Sequence, residues 1–275
     1  MTNDPFAVET AITVEGLTKR YGTLTALDGV SFGVARGEVF GCVGANGAGK
    51  TTAMRMLCGL GRPTSGGGTV AGYDIARQGE RIKRHIGYMS QRFSLYDDLT
   101  VIENIRLYGG IYGLSRREIL RRAVALLRRL DFRRESRTLV GALPLGRQQK
   151  LAFSVATLHR PEVVFLDELT TGLDVKARRD VWNLLDEMRQ QGMTIVLTSH
   201  FMDEVEALCD RVIILRKGRI VFEGTVAEAV ASGPFASFED AYLAYAEPAE
   251  HAESVEAAEP TATAHFSEGG AHESL

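Results

Sequence analysis

The sequence predicts an α/β fold: a parallel sheet with helices on both faces and a purely helical segment inserted into it. Three observations carry the prediction. Short apolar runs, "VFGCVG", "HIGYMSQ", "EVVFLDE" and "MTIVLTSH", recur along the chain, and the later ones alternate with stretches of helical spacing, the pattern of a parallel sheet. The first run passes through a glycine-rich loop into "GKTTAMRMLCGL", so strand, loop and helix follow one another directly. Between about residues 94 and 160 the strands stop, and "VIENIRLYGGIYGL", "RREILRRAVALLRRLDF" and "GRQQKLAFSVATLHR" all read as helices.

The remaining elements follow in chain order. Residues 11–40, including "AITVEGLTKRYG" and "LDGVSFGVARGEVF", alternate polar and apolar residues between Gly and Asp and predict strands joined by turns. The many arginines of the helical segment read as a solvated face, because no aromatic residues interleave with them as a base-stacking surface requires. After "MTIVLTSH", further strands are predicted at "RVIILRKGRI" and "IVFEGT". From residue 246 on the chain is rich in Ala, Glu and Ser; it buries too little apolar surface to fold alone and predicts a disordered tail. Its histidines, His251, His265 and His272, are too widely spaced to suggest a metal site.

Composition narrows the function. The chain has 275 residues, 45% hydrophobic and 24% charged, which fits one large soluble domain or two small ones. Residues 246–275 hold seven Glu and no Lys or Arg; without those seven, 32 basic residues stand against 28 acidic ones, a body of about +4. Such a charge suits a phosphate ligand and is too small to argue for nucleic acid. Cys42, Cys58 and Cys209 show no metal or redox spacing and read as core residues in a reducing compartment. The opening "MTNDPFAVETA" lacks the basic and apolar regions of a secretory signal, and no apolar run approaches the ~18 residues that span a bilayer. Any membrane role is therefore expected to come through a partner.

The chemistry lies in a few motifs. "GANGAGKT", Gly44 to Thr51, matches G-x-x-x-x-G-K-[ST], the phosphate-binding loop. Gly44, Ala45, Asn46, Gly47, Ala48 and Gly49 would turn their N–H groups inward as an anion cradle, and the helix beginning near Lys50 adds its N-terminal dipole. Lys50 is expected at the β- and γ-phosphates, Thr51 at Mg²⁺, and Thr52 beside them. "VVFLDE" is an apolar strand ending in Asp167 and Glu168; alternation points them in different directions, one toward a metal and the other toward an attacking water. His200 ends "MTIVLTSH" at the carboxyl edge of the sheet, where such folds bind ligands. Gln91 follows the strand "HIGYMSQ".

The order Tyr21, "GANGAGKTT", Gln91, "LPLGRQQ", "VVFLDE", "TTGLD" and "TSH" resembles the ATP-binding cassette (ABC) family over about residues 11–240. That resemblance implies a P-loop NTPase, its RecA-like core joined to an antiparallel β subdomain and an inserted α-helical subdomain. The nucleotide-binding domain would span residues 1–245, with ATP and Mg²⁺ as its ligands. The resemblance further implies that Tyr21 stacks on adenine, Gln91 touches Mg²⁺ and water and signals to a membrane partner, and Asp167 holds the metal. Glu168 would be the general base, Asp174 would meet an opposing subunit, and His200 would hold the γ-phosphate. A finer similarity, to the ATP-binding subunits of ABC-2-type exporters, rests on "YMSQRFSLYDDLTVIENI", "LYGGIYGL", "HRPEVVFLDE", "TSHFMDEVEALCDRVIILRKGRIVFEGT" and the closing "SFEDAYLAY". It implies an ATPase on the cytoplasmic, inner face of the cell membrane. Its partners would be a separate transmembrane permease and a second nucleotide-binding subunit, identical in a homodimer or different in a heterodimer; no nucleic acid is implied. Two other readings stay open: a regulatory subunit that binds nucleotide without hydrolysing it, and a soluble ABC ATPase outside transport.

"LPLGRQQK" departs from the family. The usual signature, Leu-Ser-Gly-Gly-Gln, binds the ATP of the opposing subunit. Pro144 replaces Ser and removes both a hydroxyl and an N–H. Leu145 keeps its N–H, Gly146 survives, and a proline suits a first helical turn. With Arg147 close by, the helix start is expected to still favour a phosphate. A charge-assisted hydrogen bond is worth about 1.5–3 kcal/mol, so the lost Ser contact is appreciable without being fatal. Some ABC-2 exporters resemble this chain in carrying Leu-Pro-Leu-Gly here, which favours an active ATPase. A second departure is Leu169, where the family has Pro after Asp-Glu.

Overall fold

The structure, a computed structural model, describes residues 9–90, 95–168 and 170–246. Two sheets form its frame. Strands β1 (Thr10–Tyr21), β2 (Leu24–Ala35), β4 (Ser65–Val70) and β5 (Tyr73–Asp74) make an antiparallel sheet in the order β2-β1-β4-β5. The second sheet has six strands, in the order β10-β9-β3-β8-β7-β6. Within it β3 (Val39–Gly44), β6 (Ile86–Met89), β7 (Val163–Asp167), β8 (Thr194–Thr198) and β9 (Arg211–Arg216) are parallel. The edge strand β10 (Arg219–Gly224) runs antiparallel to β9.

That edge corrects one boundary: "RVIILRKGRI" is not a single strand but β9 and a turn leading into β10, the strand expected at "IVFEGT". Lys217 (φ 48°) and Gly218 (φ 80°) both take positive φ. Two such residues make the tight turn whose twist matches paired strands.

Alternation along the buried strands sorts the core into layers. Val163 and Phe165 of β7 and Val196 of β8 pack with the helix α1 (Lys50–Leu57) and the antiparallel sheet. Val164 and Leu166 of β7, with Ile195 and Leu197 of β8, pack with the helical side. That side holds α3 (Val101–Ile111), α4 (Arg116–Arg129), α5 (Leu145–Ala156) and α6 (Val175–Gln190). Helices thus cover one face, while on the other α1 shares the cover with the antiparallel sheet. A short helix, α2 (Gly79–His85), precedes β6. The last helices, α7 (Met202–Leu208), α8 (Val226–Ala231) and α9 (Phe238–Ala246), pack with β9 around Ile214 and Phe238.

The helical segment is punctuated by local chemistry. Thr100 with Glu103 and Ser115 with Glu118 form reciprocal capping boxes that start α3 and α4. Buried Asn104 bonds the Tyr96 backbone N–H (2.8 Å) and the carbonyls of Tyr96, Leu99 and Thr100, fixing the entry to α3.

Candidate functional site

Strands β3, β8 and β7 are neighbours and parallel, so the residues just past their carboxyl ends converge at one sheet edge. The phosphate-loop residues succeed β3, Glu168 succeeds β7, and Ser199 and His200 succeed β8. The phosphate loop, Glu168 and His200 line one cleft of ≈ 1080 Å³, whose walls also include Tyr21, all of Gly44–Thr52 and Thr171, with Ser199 buried behind them.

The loop is jammed between its neighbours, which explains two glycines. A Cβ at Gly44 (φ 155°) would stand 2.4 Å from the Leu215 carbonyl oxygen. One at Gly49 (φ 114°) would stand 2.7 Å from the Ala26 carbonyl oxygen. Lys50, the first residue of α1, is buried, and its ammonium donates to the carbonyls of Gly44 (2.5 Å) and Ala45 (3.2 Å). Thr51 is exposed and Thr52 half-buried.

Asp167 ends β7 in the register of Val163 and Phe165, the side that faces α1. It is buried, and its Oδ1 accepts from the Thr198 hydroxyl at 2.5 Å. Close by, burial pushes the Cys42 thiol up to about 12; Lys50 opposes that rise and Asp167 adds to it. Cys42 is therefore an inert core residue beside the site rather than a nucleophile in it. Glu168 has left the strand: its backbone is left-handed (φ 53°), with its N–H shared between the Thr198 carbonyl (3.1 Å) and hydroxyl (3.2 Å). Simple alternation, the basis of the sequence expectation, does not set its direction. Its Oε2 lies 3.6 Å from His200 Nδ1, so the two side chains meet across the cleft. Non-glycine residues hold such a conformation only where their surroundings impose it, and such positions cluster at functional sites.

His200 is held by a network that sequence reading missed. The Ser199 hydroxyl donates to buried Glu204 (2.5 Å), which also accepts from Trp182 Nε1 of α6 (3.2 Å). The Phe201 N–H returns to the Ser199 oxygen (3.0 Å), and the Phe201 ring packs on His200 with centroids 4.2 Å apart. Arg178 lies over that ring at 4.3 Å and pairs with Asp203 at 3.1 Å. The cleft wall also includes Thr25, Lys217 and Tyr242, all missed. Lys217 is brought in by the β9–β10 turn, whose Gly218 N–H bonds the Ala48 carbonyl at 3.0 Å; the Lys-Gly pair was the available signal.

Tyr21 closes β1, half exposed, with the Lys19 ammonium 5.1 Å from its ring centre. Pro144 is the N-cap of α5, and a Cβ on Gly146 would meet the Ala177 Cβ at 2.8 Å. Asp174 caps α6 by accepting from the Ala177 N–H at 2.8 Å. Arg147 departs from expectation. Its guanidinium lies 4.1 Å over the Phe132 ring, donates to the Asp131 carbonyl at 3.0 Å and pairs with Glu135. It braces α5 against residues 131–135 instead of standing ready for a phosphate. Gln91, Leu169 and the acidic tail beyond Ala246 lie outside the described residues.

The described residues contain no cluster of three His, Cys, Asp or Glu that would hold a metal unaided. The Thr51 hydroxyl and Asp167 carboxylate are hard oxygen donors. They fit Mg²⁺, which typically takes one or two protein ligands and completes its shell with phosphate oxygens and water.

The ABC transporter family profile matches residues 27–171. The chain is 41% identical over 217 residues to the probable multidrug ABC transporter ATP-binding protein YbhF of Escherichia coli (strain K12), covering 79% of this chain and 37% of that one. It is 40% identical over 220 residues to the daunorubicin resistance ATP-binding protein DrrA3 of Streptomyces coeruleorubidus, covering 80% and 70%. A solved ATP-binding subunit of an ABC transporter aligns with a TM-score of 0.77 at 32% identity, covering 85% of this chain and 98% of that one. The chain belongs to the ABC transporter family. It spans 37% of the length of YbhF.

Proposed function

We propose that the chain is the ATP-hydrolysing subunit of a membrane exporter. The observation that carries this reading is the meeting of Lys50, Glu168 and His200 on one cleft with an aromatic residue, Tyr21, in its wall, and with Asp167 buried one residue before Glu168. The loop N–H groups and the Lys50 ammonium would hold the phosphates, and Tyr21 would stack on adenine. Thr51, Asp167 and Gln91 would hold Mg²⁺, which neutralises phosphate charge when bound. The Glu168 carboxylate accepts a proton from the water that attacks the γ-phosphorus, as the bond to the bridging oxygen breaks. His200 donates a hydrogen bond to the γ-phosphate. Phosphoryl transfer depends on positioning and charge stabilisation, and this residue set offers both.

Residues 1–245 would be the nucleotide-binding domain, its helical subdomain at about 94–160, with 246–275 as an acidic tail. The chain would work in pairs, each copy presenting Gly146 and the start of α5 to its partner's nucleotide. It would dock on a separate permease at the cytoplasmic face of the membrane. The names of YbhF and DrrA3 support a drug-export role. No described helix is long and apolar enough to cross a membrane.

Light scattering on Glu168→Gln, with and without Mg-ATP, tests the reading. A doubled mass on ATP is expected, the nucleotide being trapped between two copies. A persistent monomer would remove the homodimer and require a different subunit to complete the site.

A further inference from the structure

The helical segment carries more positive charge than its fold uses. Between residues 116 and 137, seven arginines are exposed and form no ion pair among the described residues; Arg122 and Arg129 alone have carboxylate partners, Glu118 and Glu187. Helix α4 organises part of this charge. At about 100° per residue, Arg117, Leu120, Arg121, Val124 and Arg128 fall on one side of the helix. Ile119, Ala123 and Leu126 fall on the other side, Leu127 lies at the boundary beside Leu120, and all four are buried. Leu120 is 57% and Val124 43% exposed, in the midst of the guanidinium groups. Arg116 and Arg117 also occupy the first turn, where the positive end of the helix dipole opposes them. Helix stability gives no reason for that placement.

We propose that this outer face of α4 rests on the surface of an anionic lipid bilayer. The arginines would bind headgroup phosphates, and Leu120 and Val124 would lie at the boundary with the acyl chains. A cluster of arginines on an amphipathic helix, its apolar face already packed on the protein, is the pattern that binds anionic lipid headgroups electrostatically, and the exposed Leu120 and Val124 add apolar contact. A nucleic acid would call for stacking aromatics, and α4 has none. The chain's own tail has seven glutamates to offer the arginines but little apolar surface with which to cover Leu120 and Val124. The proposal rests on the exporter reading only for its setting, the anionic inner leaflet.

The test is sedimentation of the full chain with vesicles of phosphatidylglycerol and phosphatidylcholine, against pure phosphatidylcholine. Binding to the mixed vesicles alone is expected. The variant Arg117→Gln, Arg121→Gln, Arg128→Gln should lower the partition coefficient on the order of 100-fold, about fivefold per arginine. Leu120→Ser with Val124→Ser should weaken binding further as salt screens the charges. Neutralising Arg62, Arg77 and Arg84, exposed elsewhere, should change little. Equal loss from that control set would overturn the assignment to α4, as would unchanged binding by the α4 variant. Binding only after the seven tail glutamates become Gln would show that the tail covers the face. Vesicle binding displaced by single-stranded RNA at lower concentration than by free lipid would point to a nucleic acid and overturn the proposal. None of these assays requires a permease or turnover, so a failure here leaves the ATPase reading standing, and the reverse.

Discussion

Glu168 combines a left-handed backbone with a carboxylate 3.6 Å from His200, and this places the expected base where no strand pattern would. Glu168→Gln keeps the shape and removes the basicity. Turnover should fall about 10²- to 10⁴-fold in a phosphate-release assay, with Mg-ATP binding retained. Gly49→Ala should instead abolish nucleotide binding in a filter assay, because its Cβ would displace the loop from Ala26. His159 offers a pH test away from the site. Its ring stacks on Tyr112 with centroids 3.9 Å apart, bonds the Ile86 carbonyl through Nε2 at 3.0 Å, and has no partner at buried Nδ1. Burial lowers its pKa to about 4 from an ordinary 6.5. Between those values only the unfolded chain takes the proton, so stability falls as pH drops from 6.5 toward 4. From pH 7 to pH 5 the native chain should lose about 2 kcal/mol more than His159→Phe in urea titrations.

At the scale of elements, α5 and α6 meet where two motifs meet. Gly146 leaves room for Ala177, and Asp174 caps the turn that carries Ala177. Gly146→Ala should cost about 1–3 kcal/mol by overpacking, measured as a lower urea midpoint. Ala177→Gly should recover part of that loss in the double variant; strict additivity would mean that the contact is not the cause. The helix starts themselves were legible from spacing at "VIENIRL" and "RREIL", whereas the capping boxes that fix them, Thr100 with Glu103 and Ser115 with Glu118, are found in the structure. Both strands of the last hairpin were legible, but the break at Lys217-Gly218 inside "RVIILRKGRI" was not, because a Lys-Gly turn is a weaker signal than Asn-Gly.

At the scale of the molecule, β7 ties two cores together. Phe165 faces the α1 side and Leu166 the helical side, both buried. Phe165→Ala should cost about 3–5 kcal/mol and Leu166→Ala about 2–5 kcal/mol. Both should shift one shared unfolding transition, read by circular dichroism and Trp182 fluorescence together. If Leu166→Ala split the two signals, the helical side would be a separate folding unit.

The sequence by itself determined the order of motifs, the strand–loop–helix unit around Lys50, the helical insert and the family. These depend on contiguous residues whose spacing, glycine placement and apolar runs act locally. The tertiary structure alone decided what depends on distant partners. Arg147 turned to Phe132 and Glu135 because the 131–135 segment packs beside α5. Lys217 reached the cleft because its turn is pinned to Ala48, far away in sequence. Glu168 took its left-handed backbone because Thr198 of the neighbouring strand holds its N–H. Local spacing records how a segment folds on itself, whereas the direction of a polar side chain is set by whichever partner the packing brings within reach.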